Sequence, residues 1–261
     1  MKTNLIDTTF VIPIRIDSII RLENFLLTIE NLVSNFDTNI VVIEASSYNN
    51  KIVESLISRE INYQFIEDKD PIFHRTKYLN IASSQVKTDI IGIWDADVII
   101  DPMQVVEAIM QIRLQKCDVA YPYDGNFMDT SYIIRNRFYI NRDVAFLKKN
   151  ESKMRSLYSS EDRADAVGGA FLVLYEKYKY AGKENESFYG WGPEDGERYN
   201  RWQGLGFCVY RSAGCLFHLS HPRDINGGIG LSEFSTKVKA EALNLATNLT
   251  KKELEESIKT F

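Results

Sequence analysis

Three histidines occur in the 261 residues, and two of them, His218 and His221, stand three apart at the end of an apolar run, just before Pro222. Neutral imidazole is the commonest metal ligand among side chains; a structurally satisfied pair is the plain alternative. Asp95 and Asp97 flank one alanine straight after a run of Ile and Trp. Two carboxylates so placed repel each other unless a cation sits between them. Together the two segments supply a carboxylate and two imidazoles and leave coordination positions open. A mixed set that also takes phosphate oxygens points to Mn2+, with Mg2+ as the alternative.

A second group is Tyr189-Gly190-Trp191-Gly192-Pro193-Glu194-Asp195, a rigid aromatic turn that ends in two carboxylates. They either complement the dipole of a helix expected over 195–203, or act as a base toward a bound hydroxyl. Trp191 is a natural stacking surface for a sugar ring. A third group, Pro71 to Lys77, is rich in basic side chains. Arg15, Arg75 and Lys77 supply the local positive charge that a pyrophosphate needs. A solvated helix face explains Lys77 equally well.

The elements that must position these residues follow from hydrophobic patterning. Strands are predicted over Thr8–Ile14, Asn39–Glu44, Asn62–Ile66 and Asp89–Trp94, alternating with helices over Ser18–Phe36, Asn50–Arg59 and Arg75–Val86. Such alternation means right-handed crossovers and an α/β fold with a mainly parallel sheet covered on both faces. Ligands in these sheets bind beyond the carboxyl ends of the strands. Pro13, Arg15, Asp17, Glu44, Asp68, Asp95 and Asp97 all fall there, although Asp17 and Asp68 are also candidates for helix N-caps. Further on, a helix is expected over Pro102–Gln115 and a strand over Asp118–Tyr121. Residues 125–165 read as a polar, solvated excursion. Order returns over Ala166–Leu174 and Phe207–His218, and the tail from Ser232 is helical, with Thr250 and Glu253 spaced as a capping box. The segment from Arg223 to Glu233, with Gly227, Gly228 and Gly230, is expected to order when ligands bind; a plain connecting loop to the C-terminal helices is the alternative.

From about Thr9 to Arg223 the sequence resembles the glycosyltransferase-A superfamily, above all the group of β-1,4-galactosyltransferases and related bacterial family-2-type glycosyltransferases. Asp95-Ala96-Asp97 is similar to the Asp-x-Asp motif, Gly190 to Asp195 to the Trp-Gly-Gly-Glu-Asp motif, and His218-Leu219-Ser220-His221 to the remaining metal-ligand segment. The resemblance implies a single fused glycosyltransferase-A domain. Its nucleotide-sugar half would span 1–100, its acceptor and catalytic half 101–223, and its loop and C-terminal helices 224–261. It implies Asp97, His218 and His221 as metal ligands, with a methionine at the first of the two histidine positions in the galactosyltransferases. Pro13, Arg15, Phe73, Arg75 and Asp95 would hold the nucleotide sugar, Glu44 its base, and Gly168-Gly169 the donor sugar. Asp195 would be the catalytic base, Glu194 a donor- or acceptor-binding carboxylate, and Trp191 an acceptor platform. The implied reaction moves galactose or N-acetylgalactosamine from a UDP-sugar donor to a glycan or glycoconjugate acceptor with inversion. Gly196 stands where the galactosyltransferases carry a further acid that helps bind N-acetylglucosamine, so the resemblance does not fix the acceptor. The retaining N-acetylgalactosaminyltransferases have Glu-Asn in place of Glu194-Asp195.

Composition limits the rivals. With 31 Lys and Arg against 36 Asp and Glu, and 44% hydrophobic residues, the chain is expected to be globular and to bind no nucleic acid. No apolar run reaches the roughly 18 residues of a membrane span, so membrane association would be peripheral. Three cysteines without metal spacing, and a start lacking secretory features, suggest a cytoplasmic protein. A glycoside hydrolase would use paired carboxylates without the ligand set or basic groups. A non-catalytic sugar-nucleotide module would show emptied charged positions, and a nucleotidyltransferase a glycine-rich phosphate loop. Neither feature is present.

Overall fold

In a computed structural model that describes residues 1–157, 166–190, 192–222 and 233–260, β1 (Thr3–Ile14), β2 (Phe36–Ser46), β3 (Asn62–Glu67) and β4 (Ile90–Trp94) run parallel. The helices α1 (Ile19–Asn35), α2 (Ile52–Leu56) and α3 (Arg75–Ser83) connect them. α1 starts where the Ser18 hydroxyl accepts the Arg21 amide, so Ser18, not Asp17, is the cap. Its buried face carries Leu22, Phe25, Ile29 and Leu32 at helical spacing. The chain continues through β5 (Val98–Ile99), α4 (Pro102–Arg113) and β6 (Val119–Tyr121). Asp101 caps α4 through the Met103 amide, and Pro102 occupies its first turn, where no backbone donor is needed.

The expectation of a solvated excursion over 125–165 is corrected. Residues 125–157 fold into β7 (Phe127–Asp129), α5 (Tyr132–Asn141), α6 (Val144–Lys149) and β8 (Arg155–Ser156). Strands of two or three residues are too short to show a period of two. Then come β9 (Ala170–Leu174), α7 (Tyr175–Tyr180), α8 (Glu194–Leu205), β10 (Val209–Arg211), β11 (Leu216–His218), α9 (Glu233–Asn248) and α10 (Lys251–Ser257). The capping box at Thr250 and Glu253 is formed.

The main sheet has the order β10-β6-β9-β4-β1-β2-β3, with β9 antiparallel to both neighbours. A smaller sheet, β5-β11-β7-β8, lies beyond the end of β4. Phe10 and Trp94 meet edge to face, with ring centroids 5.2 Å apart. Phe10 lies so close to Gly92 that a Cβ there would meet its ring at 2.9 Å. A second core of Leu27, Ile99, Ile134, Phe138, Leu147, Phe217 and Leu219 joins α1 to the smaller sheet. No helix among the described residues is long and apolar enough to cross a membrane.

Candidate active site

β1 pairs with β2 on one side and β4 on the other, so the strand order reverses there. A crevice opens beyond the carboxyl ends at such a switch point. The chain forms a cleft of about 460 Å3 at this place, and Pro13, Phe73, Arg75, Asp95, Gly168, Glu194 and Asp195 help to line it.

At one end sit Asp97, His218 and His221, each offering a ligand atom within 4.8 Å of the others. The strand register explains the meeting: β11 pairs antiparallel with β5, opposing His218 to Val98, next to Asp97. α1 clamps both segments. The Thr28 hydroxyl donates to the Ala96 and Val98 carbonyls, and one turn earlier the Asn24 amide donates to the Leu219 carbonyl. Asp97 Oδ2 is 3.0 Å from His221 Nε2 and 3.6 Å from His218 Nε2. His221 Nδ1 lies 2.8 Å from the Pro222 carbonyl, which can only accept, so Nδ1 carries a proton and Nε2 faces Asp97. His218 Nδ1 lies 2.8 Å from Asp129 Oδ1, which orients Nε2 toward Asp97 in the same way. Burial favours the neutral ring of His218, but Asp97 and Asp129 outweigh it and push its pKa up to about 9. Burial likewise opposes charge on Asp97, yet the two imidazoles hold its carboxyl well below the usual range. A proton on His218 thus occupies the electrostatic place of a divalent cation, and the donor set fits one.

At the other end, Arg75 gathers three carboxylates. Its NH2 lies 2.5 Å from Asp95 Oδ1, and its NH1 lies 3.9 Å from Glu194 Oε1 and 3.8 Å from Asp195 Oδ1. Neither Arg75 NH1 nor Glu194 Oε2 has a hydrogen-bond partner among the described residues, although both are buried. Such orphaned polar atoms in a cleft call for a ligand. Burial and then the Asp195 charge push Glu194 up to about 8. Burial also raises the Asp95 carboxyl, in spite of Arg75. Asp195 Oδ1 accepts from Arg198 NH2 at 2.6 Å, and Arg198 NH1 reaches Glu184 at 2.8 Å. Arg198 is fully buried, so this bridge fixes the first turn of α8. The other Asp195 oxygen lies against Gly168, where a Cβ would come within 2.5 Å and force a shift. Gly169 has a φ of +78°, and a Cβ there would strike Phe127 and Leu216.

Two of the expected nucleotide-sugar residues have protein partners of their own. Arg15 lines the cleft, but its donors are committed: Nε to the Ala45 carbonyl, NH1 to the Asp70 carbonyl and NH2 to Asp68, at 2.9, 2.7 and 2.6 Å. It ties the loops after β2 and β3 to β1 and covers the Phe73 ring at 5.3 Å. Asp68 therefore serves as this partner and not as a helix cap. Glu44 is buried on β2, where its carboxylate accepts the Tyr63 hydroxyl at 2.6 Å; it is not among the residues that line the cleft. Lys77 is exposed on α3, as a solvated face requires. Trp191 and residues 223–232 lie outside the described residues.

Sequence reasoning missed Asp129, Glu184 and Arg198. The i, i+3 spacing of Asp195 and Arg198 on one helix was a usable signal. Asp129 had none, since β7 was not foreseen.

No family model matches the chain, and no curated protein sequence matches it. Solved structures do. Glucosyl-3-phosphoglycerate synthase from Mycobacterium tuberculosis, in complex with Mn2+, uridine diphosphate and phosphoglyceric acid, aligns with a TM-score of 0.56 at 14% identity, covering 93% of this chain and 78% of that one. A mutant of Drosophila beta-1,4-galactosyltransferase 7, in complex with manganese, UDP-Gal and xylobiose, gives a TM-score of 0.54 at 14% identity over 89% of this chain and 79% of that one. The architecture is the glycosyltransferase-A fold.

Proposed function

We propose that the protein is a metal-dependent glycosyltransferase that moves a sugar from a UDP-sugar to a hydroxyl of a glycan or glycoconjugate, with inversion. The observation that carries this reading is the convergence of Asp97, His218 and His221 in the same cleft as Asp195. The structural neighbours support it, since both are described with manganese and a uridine nucleotide. Three unpaired cysteines fit a cytoplasmic setting.

Asp97, His218 and His221 would hold the divalent ion, Mn2+ by preference. When bound, that ion supplies Lewis-acid neutralisation of the diphosphate. Asp195 accepts the proton of the acceptor hydroxyl as its oxygen bonds to the anomeric carbon. The bond from that carbon to the phosphate oxygen breaks, and its electron pair leaves with the nucleoside diphosphate. Arg198 holds one Asp195 oxygen, which leaves Oδ2 for the acceptor. Glu194, protonated at neutral pH with its pKa of about 8, donates to a sugar hydroxyl, and Arg75 NH1 binds the donor beside it. Holding both reactants in line supplies much of the rate.

Thermal-shift screening of UDP-sugars with and without Mn2+, followed by UDP release with the stabilising donor, tests the reading. A donor-selective shift that requires metal is expected, and Asp195→Asn should keep that shift while losing several orders of magnitude in turnover. Metal-independent hydrolysis of a simple glycoside would overturn it, and an NMR spectrum of the product reads the anomer.

A further inference from the structure

α5 is an unusual surface helix. Two residues separate it from β7, whose Asp129 orients His218. Its inward side is Ile134, Arg135 and Phe138. Its outward side carries Ile133 and Ile140, seven residues apart on one face, with exposures of 82% and 69%, flanked by Tyr132 at 48%. Arg135 anchors the helix to α1 by donating to Asn24 and to the Ile20 carbonyl, next to Ile19, which is itself 67% exposed. Isolated surface apolar residues mean little, but a helix that turns two isoleucines and a tyrosine outward marks a contact.

Charge says what the contact is. The chain as a whole is acidic, yet residues 131–157 hold seven Lys and Arg against two Asp and Glu. Arg142, Lys148 and Arg155 are paired with Glu30, Asp101 and Asp129. Arg137, Lys149 and Lys153 are exposed and pair with no carboxylate among the described residues. An apolar helix face with exposed cations on the same helix and on the segment that follows it matches the boundary of a bilayer, where acyl chains lie beneath anionic headgroups.

We infer that α5 and the basic segment following it form a docking surface for an anionic lipid membrane. Ile133, Arg137, Ile140, Lys149 and Lys153 are not among the residues that line the cleft, so docking does not depend on the proposed reaction.

Vesicle flotation of the full chain tests this, with phosphatidylcholine alone and with phosphatidylcholine plus phosphatidylglycerol. Binding to the anionic vesicles only is expected, and it should weaken several-fold as salt rises from about 0.1 to 0.5 M. The double variant Ile133→Asp/Ile140→Asp should lose at least tenfold in partition, with unchanged circular dichroism and unchanged UDP release in solution. Arg137→Glu/Lys149→Glu should lose the preference for anionic lipid. No flotation, equal flotation with both vesicles, or flotation unaffected by the isoleucine changes overturns the inference. Self-association that only the isoleucine variant abolishes, without flotation, would assign the surface to a second copy of the chain instead.

Discussion

The carboxylate of Asp195 rests on the backbone of Gly168: a Cβ at Gly168 would come within 2.5 Å of Asp195 Oδ2. The residue proposed as base is therefore held from two sides, by Arg198 at one oxygen and by the absent side chain of Gly168 at the other. Gly168→Ala should shift the carboxylate and lower kcat by about 100-fold. Binding of UDP with Mn2+, measured by calorimetry, should change little, and an unaltered kcat would show that this oxygen does not meet the acceptor.

Asp129 fixes which nitrogen of His218 faces Asp97 and the proposed metal position. Asp129→Ala should weaken Mn2+ binding by roughly 10–100-fold. Arg155→Ala, which removes the surface partner of the same carboxylate, should not. Equal losses in the two variants would mean that the smaller sheet, and not the ring orientation, had been disturbed.

Metal affinity should depend on pH. With His218 at about 9, a proton competes for its ring across the neutral range. Mn2+ affinity should rise by up to tenfold per pH unit from about 6.5 toward 9 and then level off. Calorimetry in buffers of different ionisation enthalpy reads the released proton directly. A flat profile would exclude His218 as a ligand.

Glu194 adds a pH dependence to stability. Its pKa rises from an ordinary 4.5 to about 8 on folding, through burial and the Asp195 charge. The folded state thus retains a proton that the unfolded chain releases, so stability is full below about pH 4.5 and is lost as pH rises toward 8. Glu194→Gln removes the titration. It should leave Tm nearly unchanged at pH 5 and raise it at pH 9, by at least about 2 kcal/mol, or roughly 4–8 °C for a chain of this length. A difference independent of pH between the two proteins, read by scanning calorimetry, would contradict the buried carboxyl.

Much of this was legible in the sequence because it is local. The apolar stripe of α1, the capping box at Thr250 and Glu253, and the strand ends at Asp95 and Asp97 depend on neighbours a few residues away. The histidine pair was legible by its rarity. What stayed hidden depends on long-range pairing. Asp129 meets His218 across 89 residues, through a parallel pairing of two three-residue strands. The position of Arg15, after the first strand, suits a phosphate group's partner, and the sequence shows none of its protein partners. Only the folded chain brings Asp68 and the Ala45 and Asp70 carbonyls around it.

The place of β9 bears on how the chain comes to be made. It pairs with β4, Trp94 opposite Ala170, and stands between β4 and β6. A ribosome that has delivered only the first hundred residues presents β4 with one flank bare, and bare flanks recruit other polypeptides. At ordinary elongation rates the missing strand emerges on the order of 4–15 s later. During that interval of synthesis the flank of β4 is open to mispairing, before any cleft exists to bind a ligand.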